Sequence, residues 1–320
     1  MKPKNPVNSY HVDLIAPAYK AKSDLSSIQK YITDLELKPH ISDTIYKGSD
    51  PMYPAPDKYR ATDLIRALTS DHEIIWPLRG GQGFAALIPY LEKLSDEEKR
   101  KIEQNRNKKV LIGYSDITVG HTYLQNKYNY QTLHATMPDL IVEGPTVVSS
   151  DSVKKLEALI RGDQNSVTYS LAQINNGVKV KDEGIQSKII GGNMTLIRDT
   201  MATPWQVNIK DRILFLEDVH ESPERLERAF THLIQTNVLG EADAVICGDF
   251  YESSDPLAIE CVKERFAHHA PCPVFSVTGI GHSPINNPLP LNTHTTLRLE
   301  DEQEGLFTIE VENVDLFKKK

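Results

Sequence analysis

Residues 110–125, VLIGYSDITVGHTYLQ, pass from an apolar run to an amphipathic run with almost nothing between them. The run from Val110 is short and apolar, as in a buried strand, and the run from Ile117 has apolar residues at helical spacing. Only the residues GYSD (113–116) fill the turn. A strand that leads directly into a helix is the unit from which parallel sheets covered by helices are built. This stretch therefore predicts an α/β fold with a sharp turn at the carboxyl end of one strand.

The same alternation of short apolar runs and longer amphipathic runs extends towards the N-terminus. Predicted strands are HVDLIAP (11–17) and HEIIWPL (72–78), and predicted helices are DLSSIQKYITDLEL (24–37), APDKYRATDLIRALTS (55–70) and FAALIPYLEKL (84–94). This order predicts a parallel sheet with helices on both faces. Functional loops gather at the carboxyl ends of such strands, where this chain has RGGQG (79–83) and GYSD (113–116).

A change of pattern divides the chain into two parts. Its length of 320 residues already favours two domains, at about 150 residues for each domain. Residues 151–187 are polar and turn-rich with one short helix, so we interpret them as a crossover or linker. It would join an N-terminal α/β domain (1–150) to a second, smaller domain (188–320). Residues 294–311 predict a β-hairpin with Gly305 at its turn.

Composition and charge narrow the classes of function. The formal net charge is −8 and the basic residues cluster only at Lys318–Lys320, so nucleic-acid binding is not expected. No apolar run approaches the roughly 20 residues that cross a bilayer, and the first residues lack the apolar core of a secretory signal. The cysteines Cys247, Cys261 and Cys272 form no CxxC pair, which fits a reducing compartment. We therefore expect a cytoplasmic protein that does not bind membranes.

The role of Ser115 has two interpretations. A serine directly before a helix is most often its N-cap. A serine on a sharp strand-to-helix turn can also be an exposed nucleophile, and free N–H groups at the start of the helix could stabilise an oxyanion beside it. From the residues alone, both interpretations stay open.

Two later strand ends supply the partners that a nucleophile needs. Glu217 follows the apolar run ILFL, although an acid there also suits the start of a helix. His282 is flanked by Gly279 and Gly281, which would let it approach a partner, although a loop histidine is usually only surface. RGGQG matches neither GxGxxG nor a P-loop, so we interpret it as a turn whose backbone N–H faces Ser115. These residues together predict a site in the cleft between the two domains.

Five segments in this order resemble the LD-carboxypeptidases, a family of serine peptidases that includes the microcin C immunity peptidases. The segments are RGGQG, GYSD, GGNMTLI, FLEDVHESPERLER and GIGHSP, and the resemblance extends from DLIAPA near the start to NNPLPL at 286–291. It implies an N-terminal domain like that of the class I glutamine amidotransferases, a smaller β-rich C-terminal domain, and a homodimer. It also implies hydrolysis of the bond between an L-centre and a terminal D-alanine in cytoplasmic murein tetrapeptides, during cell-wall recycling.

The resemblance further implies a catalytic triad, two oxyanion donors and a set of substrate contacts, with no cofactor and no metal. The triad has Ser115 as nucleophile, His282 as general base and Glu217 as the residue that orients the histidine. The backbone oxyanion donors are Gly81 and Asp116, and the candidate substrate contacts are Arg79, Gly80 and Gln82. Arg79 could bind the terminal carboxylate of the substrate or make a structural ion pair.

Three positions depart from the common family pattern, and each could line the pocket. Gln82 stands where tyrosine is frequent, His220 where glycine is frequent, and HATMPD (134–139) where His-Gly-Pro-Met is common.

Two other functions stay open. One is cleavage of a peptidyl- or aminoacyl-nucleotide, with Tyr251 or Trp205 stacking on the base; the other is peptide binding without catalysis.

Overall fold

The computed structural model describes residues 10–180, 183–301 and 306–318. In these ranges the strands form one open sheet of six and one closed barrel of seven. The strands are β1 His11–Ile15, β2 Lys38–Ile41, β3 Ile74–Pro77, β4 Val110–Gly113, β5 Thr132–His134, β6 Ser166–Gln173, β7 Ile185–Asn193, β8 Ile213–Val219, β9 Ala244–Tyr251, β10 Val274–Ser276, β11 Leu289–Leu291, β12 His294–Asp301 and β13 Leu306–Glu312.

Helices pack against both the open sheet and the barrel. They are α1 Leu25–Asp34, α2 Asp57–Thr69, α3 Ile88–Leu91, α4 Asp96–Asn105, α5 Thr118–Tyr128, α6 Pro138–Glu143, α7 Ser150–Ile160, α8 Met194–Thr200, α9 Pro223–Gln235 and α10 Pro256–His269, with short 3₁₀ turns at Ala85–Leu87, Ser115–Ile117 and Val238–Glu241. Asp24 accepts a hydrogen bond from the Ser27 N–H and so caps α1. No described helix has the length and apolar character that a membrane span requires.

The open sheet has the order β11-β5-β4-β3-β1-β2. Its strands β1 to β5 are parallel, and β3 and β4 are buried at every residue, which explains their continuous apolar runs. The predicted parallel-rich α/β sheet is therefore confirmed. Strands β2, β5 and β11 of this sheet were not predicted. Strand β11 comes from late in the chain and pairs antiparallel with β5, so that Leu289 lies opposite His134.

The barrel has the order β10-β6-β13-β12-β7-β8-β9 and confirms a separate β-rich C-terminal domain. Its strands β7 to β10 are parallel, and the connections between them contain α8, α9 and α10. Strands β12 and β13 form the predicted antiparallel hairpin. Gly305, the predicted turn residue of that hairpin, lies outside the described residues.

The segment 151–187, interpreted as a polar linker, contains all of α7 except its first residue, the whole of β6 and the first three residues of β7. Strand β6 pairs with β13 over seven residues and with β10, and it buries Val167 and Leu171 against the barrel. Its other side chains are mostly partly or fully exposed, so the apolar signal was too sparse to predict a strand. The domain limits themselves remain a prediction.

A continuous apolar core joins the sheet to the barrel. Trp76 of the sheet and Phe215 and Phe275 of the barrel belong to one cluster of buried side chains, and all three are fully buried. The carboxyl ends of β4, β5 and β8 therefore approach each other across this core.

Candidate active site

The turn after β4 holds Ser115 in a conformation that is unusual for a residue with a side chain. Ser115 has φ 61°, in the left-handed region, which costs on the order of 1–3 kcal/mol and persists only where the surrounding structure enforces it. The N-cap positions of the 3₁₀ turn and of α5 are Tyr114 and Ile117, and neither makes a side-chain cap hydrogen bond. The interpretation of Ser115 as an N-cap is therefore wrong, because Ser115 lies inside the first turn.

The RGGQG loop packs directly against this turn. A Cβ atom added to Gly80 would lie 3.1 Å from Ser115 Cβ and 3.3 Å from its Oγ, so only glycine leaves the serine its position. The buried carboxylate of Asp116 accepts a hydrogen bond of 2.8 Å from the Phe84 N–H at the end of the loop. Burial raises the pKa of Asp116 to about 6. These contacts fix the two strand ends against each other.

Glu217 and His282 make a direct contact, although they are far apart in the chain. His282 Nδ1 lies 2.6 Å from Glu217 Oε2, and the Glu217 side chain is 0% exposed. Glu217 stands in β8 at a register shift relative to β9, an irregularity of the kind that can redirect a side chain. An isolated charge at this depth would be expensive, so the pair exists because each group compensates the other.

The electrostatics of this pair favour the charged forms of both groups. Burial raises the pKa of Glu217, but the charge of His282 and the neighbouring imidazoles lower it by more, to about 2. Burial lowers the pKa of His282, while the Glu217 carboxylate outweighs that effect, so the net direction is upwards. Glu217 is therefore ionised at neutral pH, and His282 loses its proton at a higher pH than an ordinary histidine.

His134, at the end of β5, faces the same carboxylate and was not singled out from the sequence. Its Nε2 lies 3.8 Å from Glu217 Oε1, too long for a hydrogen bond, and both side chains are 0% exposed. Among the described residues, neither ring nitrogen of His134 nor Glu217 Oε1 has a hydrogen-bond partner, and the same holds for His282 Nε2. The site thus keeps several buried polar atoms without protein partners. The signal available in the sequence was only HATMPD, where the family often has His-Gly-Pro-Met.

Tyr114 connects the Glu217–His282 pair to the turn of residues 113–116, the serine turn. Its ring centroid lies 4.8 Å from that of His282 and 5.7 Å from that of His134. Because Tyr114 directly precedes Ser115, His282 lies next to the serine turn. On the other side of the turn, Thr118 Oγ1 accepts a hydrogen bond of 3.0 Å from the Asn193 N–H at the end of β7. The structure therefore brings the predicted acid and histidine together and sets the serine turn beside them.

Of the predicted substrate contacts, Arg79 is held in ion pairs, whereas Gln82 lies at the exposed tip of the loop. Arg79 makes ion pairs with Asp139 and Glu143, so the structural interpretation of this arginine is the one observed. Gly81 and Gln82 are exposed at the tip of the loop. Gly81 has φ 112°, and a Cβ atom there would lie 2.3 Å from the ring of Tyr19, so this tip requires glycine.

The aromatic residues considered for nucleotide stacking differ in position. Tyr251 lies opposite Val219 of β8, two residues beyond Glu217, whereas the Trp205 carbonyl accepts a hydrogen bond from Asn126 near the end of α5. Trp205 is partly buried against the apolar cluster that includes residues of α5, and Tyr251 ends β9. Among the described residues, potential metal ligands cluster in threes only at His11, His40 and His72. His11 begins β1, His72 lies two residues before β3 and His40 lies within β2 opposite Asp13, whereas Ser115 follows the carboxyl end of β4.

Two family models and several curated proteins match this chain. The model of the LD-carboxypeptidase N-terminal domain matches residues 12–135, and that of the C-terminal domain matches residues 186–297. A Rickettsia conorii protein that carries a carboxypeptidase name is 34% identical over 290 residues, covering 89% of this chain and 87% of that protein. The murein tetrapeptide carboxypeptidase of Pseudomonas aeruginosa is 25% identical over 296 residues, covering 87% and 90%.

Solved structures extend the likeness to the fold. The microcin C7 self-immunity protein MccF, solved in complex with glutamyl sulfamoyl guanosine, has a TM-score of 0.76 at 18% identity, over 96% of this chain and 97% of the other. The family models, the Rickettsia relative and the shared fold lead to one conclusion: the chain belongs to the LD-carboxypeptidase family.

Proposed function

We propose that the protein is a serine carboxypeptidase that removes the terminal D-alanine from murein tetrapeptides, with Ser115, His282 and Glu217 as its catalytic triad. The observation that carries this proposal is the buried 2.6 Å contact between His282 and Glu217 beside a serine at positive φ. The name of the Pseudomonas aeruginosa relative supports the murein tetrapeptide as substrate. A cytoplasmic location and a homodimeric state belong to the same proposal and rest on the family resemblance.

The first chemical step uses the free nitrogen of His282. Its Nδ1 donates to Glu217, which leaves Nε2, buried and without a protein partner among the described residues, to accept the proton of Ser115 Oγ. The serine oxygen then attacks the carbonyl carbon of the diamino acid that precedes D-alanine. Ionised Glu217 stabilises the imidazolium that this proton transfer creates.

The tetrahedral intermediate carries a negative oxygen that needs preorganised donors. The backbone N–H groups of Asp116 and Gly81 are the proposed donors, and losing one such donor typically costs about 3 kcal/mol of transition-state stabilisation. Collapse of the intermediate breaks the peptide bond, and the imidazolium of His282 protonates the leaving amine of D-alanine. Water, activated by the same histidine, then hydrolyses the acyl-serine and restores the enzyme.

Recognition of the terminal carboxylate by Arg79 requires that one of its two carboxylate partners moves away. Asp139 is 0% exposed, while Glu143 is 22% exposed and is the partner that a substrate carboxylate could displace. We therefore keep Arg79 as a candidate contact on the condition that Glu143 moves. Gly80 and Gln82 remain candidates from the same loop.

A substrate panel tests this proposal. Purified protein is incubated with murein tetrapeptide, with the same peptide ending in L-alanine, and with an aminoacyl-sulfamoyl-adenylate, and the products are identified by mass spectrometry. We expect tripeptide and D-alanine from the first substrate only. Cleavage of the adenylate alone would instead establish the nucleotide-conjugate function, and binding without any cleavage would establish a non-catalytic peptide-binding protein.

A further inference from the structure

Three histidines meet on one face of the open sheet, at the edge opposite to Ser115. His11 begins β1, His40 lies in β2, and His72 lies two residues before β3. Strands β1 and β2 are parallel with Asp13 opposite His40, and side chains two residues apart in a strand share a face. His11, Asp13 and His40 therefore project from the same face, and the chain before β3 adds His72 to them.

The three imidazoles lie within direct contact of one another. His11 Nδ1 is 2.7 Å from His40 Nε2, and the ring centroids of His40 and His72 are 4.0 Å apart. One ligand nitrogen from each histidine can be chosen so that all three lie within 4.8 Å of one another. A metal ion with nitrogen ligands at about 2.1 Å needs nitrogens roughly 3.4 Å apart in a tetrahedron. The three rings are stacked at interplanar angles of 14°, 20° and 23°, so the imidazoles must rotate to direct their nitrogens at one ion.

A buried carboxylate orients one of these ligands. His72 Nδ1 lies 2.9 Å from Oδ1 of Asp13, whose side chain is 0% exposed, and this contact leaves His72 Nε2 for another partner. A carboxylate that holds the second nitrogen of a histidine is the common arrangement around histidine ligands of metal ions. Asp13 is itself held by Arg66 and by the Ser70 hydroxyl, so its position is fixed by α2 and the turn after it.

The surrounding charges are compatible with a cation. Two cations lie near the cluster: Arg66 is paired with Asp13 and Asp63, and Lys109 Nζ donates to the Ser70 hydroxyl and the His72 carbonyl. The Glu73 carboxylate accepts a hydrogen bond of 2.8 Å from the His11 N–H, so the carboxylates outnumber the cations. His11, His40 and His72 are each partly exposed, so an ion has access from solvent. Neutral imidazoles suit zinc, copper and nickel, whereas magnesium and calcium prefer oxygen ligands.

We propose that His11, His40 and His72 form a binding site for a divalent transition-metal ion such as Zn²⁺, with Asp13 orienting His72. The site ties β1, β2 and the chain before β3 together at the edge of the sheet opposite to the proposed catalytic residues. It is independent of the triad, so it stabilises the N-terminal sheet and takes no part in peptide hydrolysis.

Calorimetric titration of chelator-treated protein with Zn²⁺ tests the site, together with the visible spectrum after Co²⁺ addition. Three proteins are compared: wild type, His40→Gln, and the double variant His268→Gln/His269→Gln, which removes the adjacent histidines at the end of α10 and serves as the matched control. Thermal melting of each protein without metal confirms that it is folded.

We expect one Zn²⁺ per wild-type chain, an increase in Tm on binding, and a Co²⁺ spectrum typical of nitrogen ligands. The α10 control should behave like wild type, and His40→Gln should lose the site. His72→Gln is a second variant in case His40→Gln is unfolded. Binding of equal strength in His40→Gln or His72→Gln, or the absence of binding in folded wild type, would overturn the proposal.

Discussion

Replacement of Glu217 by glutamine probes the proposed catalytic pair most selectively. The substitution keeps the size of the side chain and removes one negative charge that lies 2.6 Å from His282 Nδ1 and is fully buried. Since Glu217 lies behind the histidine and has a pKa of about 2, the lost group is an ionised carboxylate at every pH of interest. The amide can also donate to Nδ1, which would place the imidazole proton on Nε2 and block its function as a base.

The size of the effect follows from the contact. Two unit charges whose centres are about 4 Å apart interact by ~4 kcal/mol at an effective dielectric constant of ~20. That energy corresponds to about three pKa units and to roughly 10³-fold in rate. The pKa of His282 is raised in the wild type because of this carboxylate, so in Glu217→Gln it should fall, and burial should carry it below that of an ordinary histidine.

The assay is the pH dependence of kcat/KM for D-alanine release, from about pH 5 to pH 9. A general base must be deprotonated, so wild-type activity should rise with pH and have its midpoint above the usual histidine value of about 6.5. Glu217→Gln should be about 10³-fold slower, with any residual activity rising at lower pH. Glu224→Gln, at an exposed position near the start of α9, is the matched control and should resemble wild type. A Glu217→Gln enzyme that stays within tenfold of wild type and keeps the wild-type midpoint would show that the carboxylate does not act through His282.

Three further substitutions test other parts of the structure. Gly80→Ala should lower kcat by on the order of 10- to 100-fold with little change in Tm, because the added Cβ would lie 3.1 Å from Ser115 Cβ and displace the serine. A kcat equal to that of wild type would contradict this prediction. His134→Phe retains an aromatic ring in the core but removes the nitrogen that faces the buried carboxylate. The value of kcat should therefore fall several-fold, while the free energy of unfolding in urea stays near that of wild type. An unchanged kcat would exclude a positioning role for His134. Phe230→Ala should lower the free energy of unfolding, measured by urea titration, by about 3–5 kcal/mol, since this ring is 2% exposed and stacks on a neighbouring phenylalanine. The control Leu257→Ala, at an 81% exposed position, should change it by less than about 0.5 kcal/mol. Equal effects of the two substitutions would contradict the packing role of Phe230.

Much of the fold could be predicted because its signals are local. Strands β3 and β4 are buried on both faces and appear in the sequence as continuous apolar runs. Strand β2, with the residues KPHI, is exposed or partly exposed along its length and offers no such run. Strand β11 has only the residues LPL, and proline is an unfavourable signal for a strand. Both exist because a neighbouring strand supplies their hydrogen bonds, which is information that local sequence does not contain.

The site shows the same division. Ser115, Glu217 and His282 could be selected because each follows a strand and because their segments match a known family. The role of His134 as a neighbour of Glu217 could not be predicted, since it requires that the barrel lies against the end of β5, where the His134 ring is 5.5 Å from that of Phe215. The ion pairs of Arg79 are likewise formed across 60 and 64 residues of chain, and only the folded sheet determines which partner it meets.

The release of D-alanine from murein tetrapeptide, compared between wild type and Ser115→Ala, decides whether Ser115 is the nucleophile of a peptidase. Mass spectrometry should detect tripeptide and D-alanine in equal amounts with wild type, and neither product above background with the folded variant. Product release by Ser115→Ala at a rate close to that of wild type would contradict the assignment of the nucleophile.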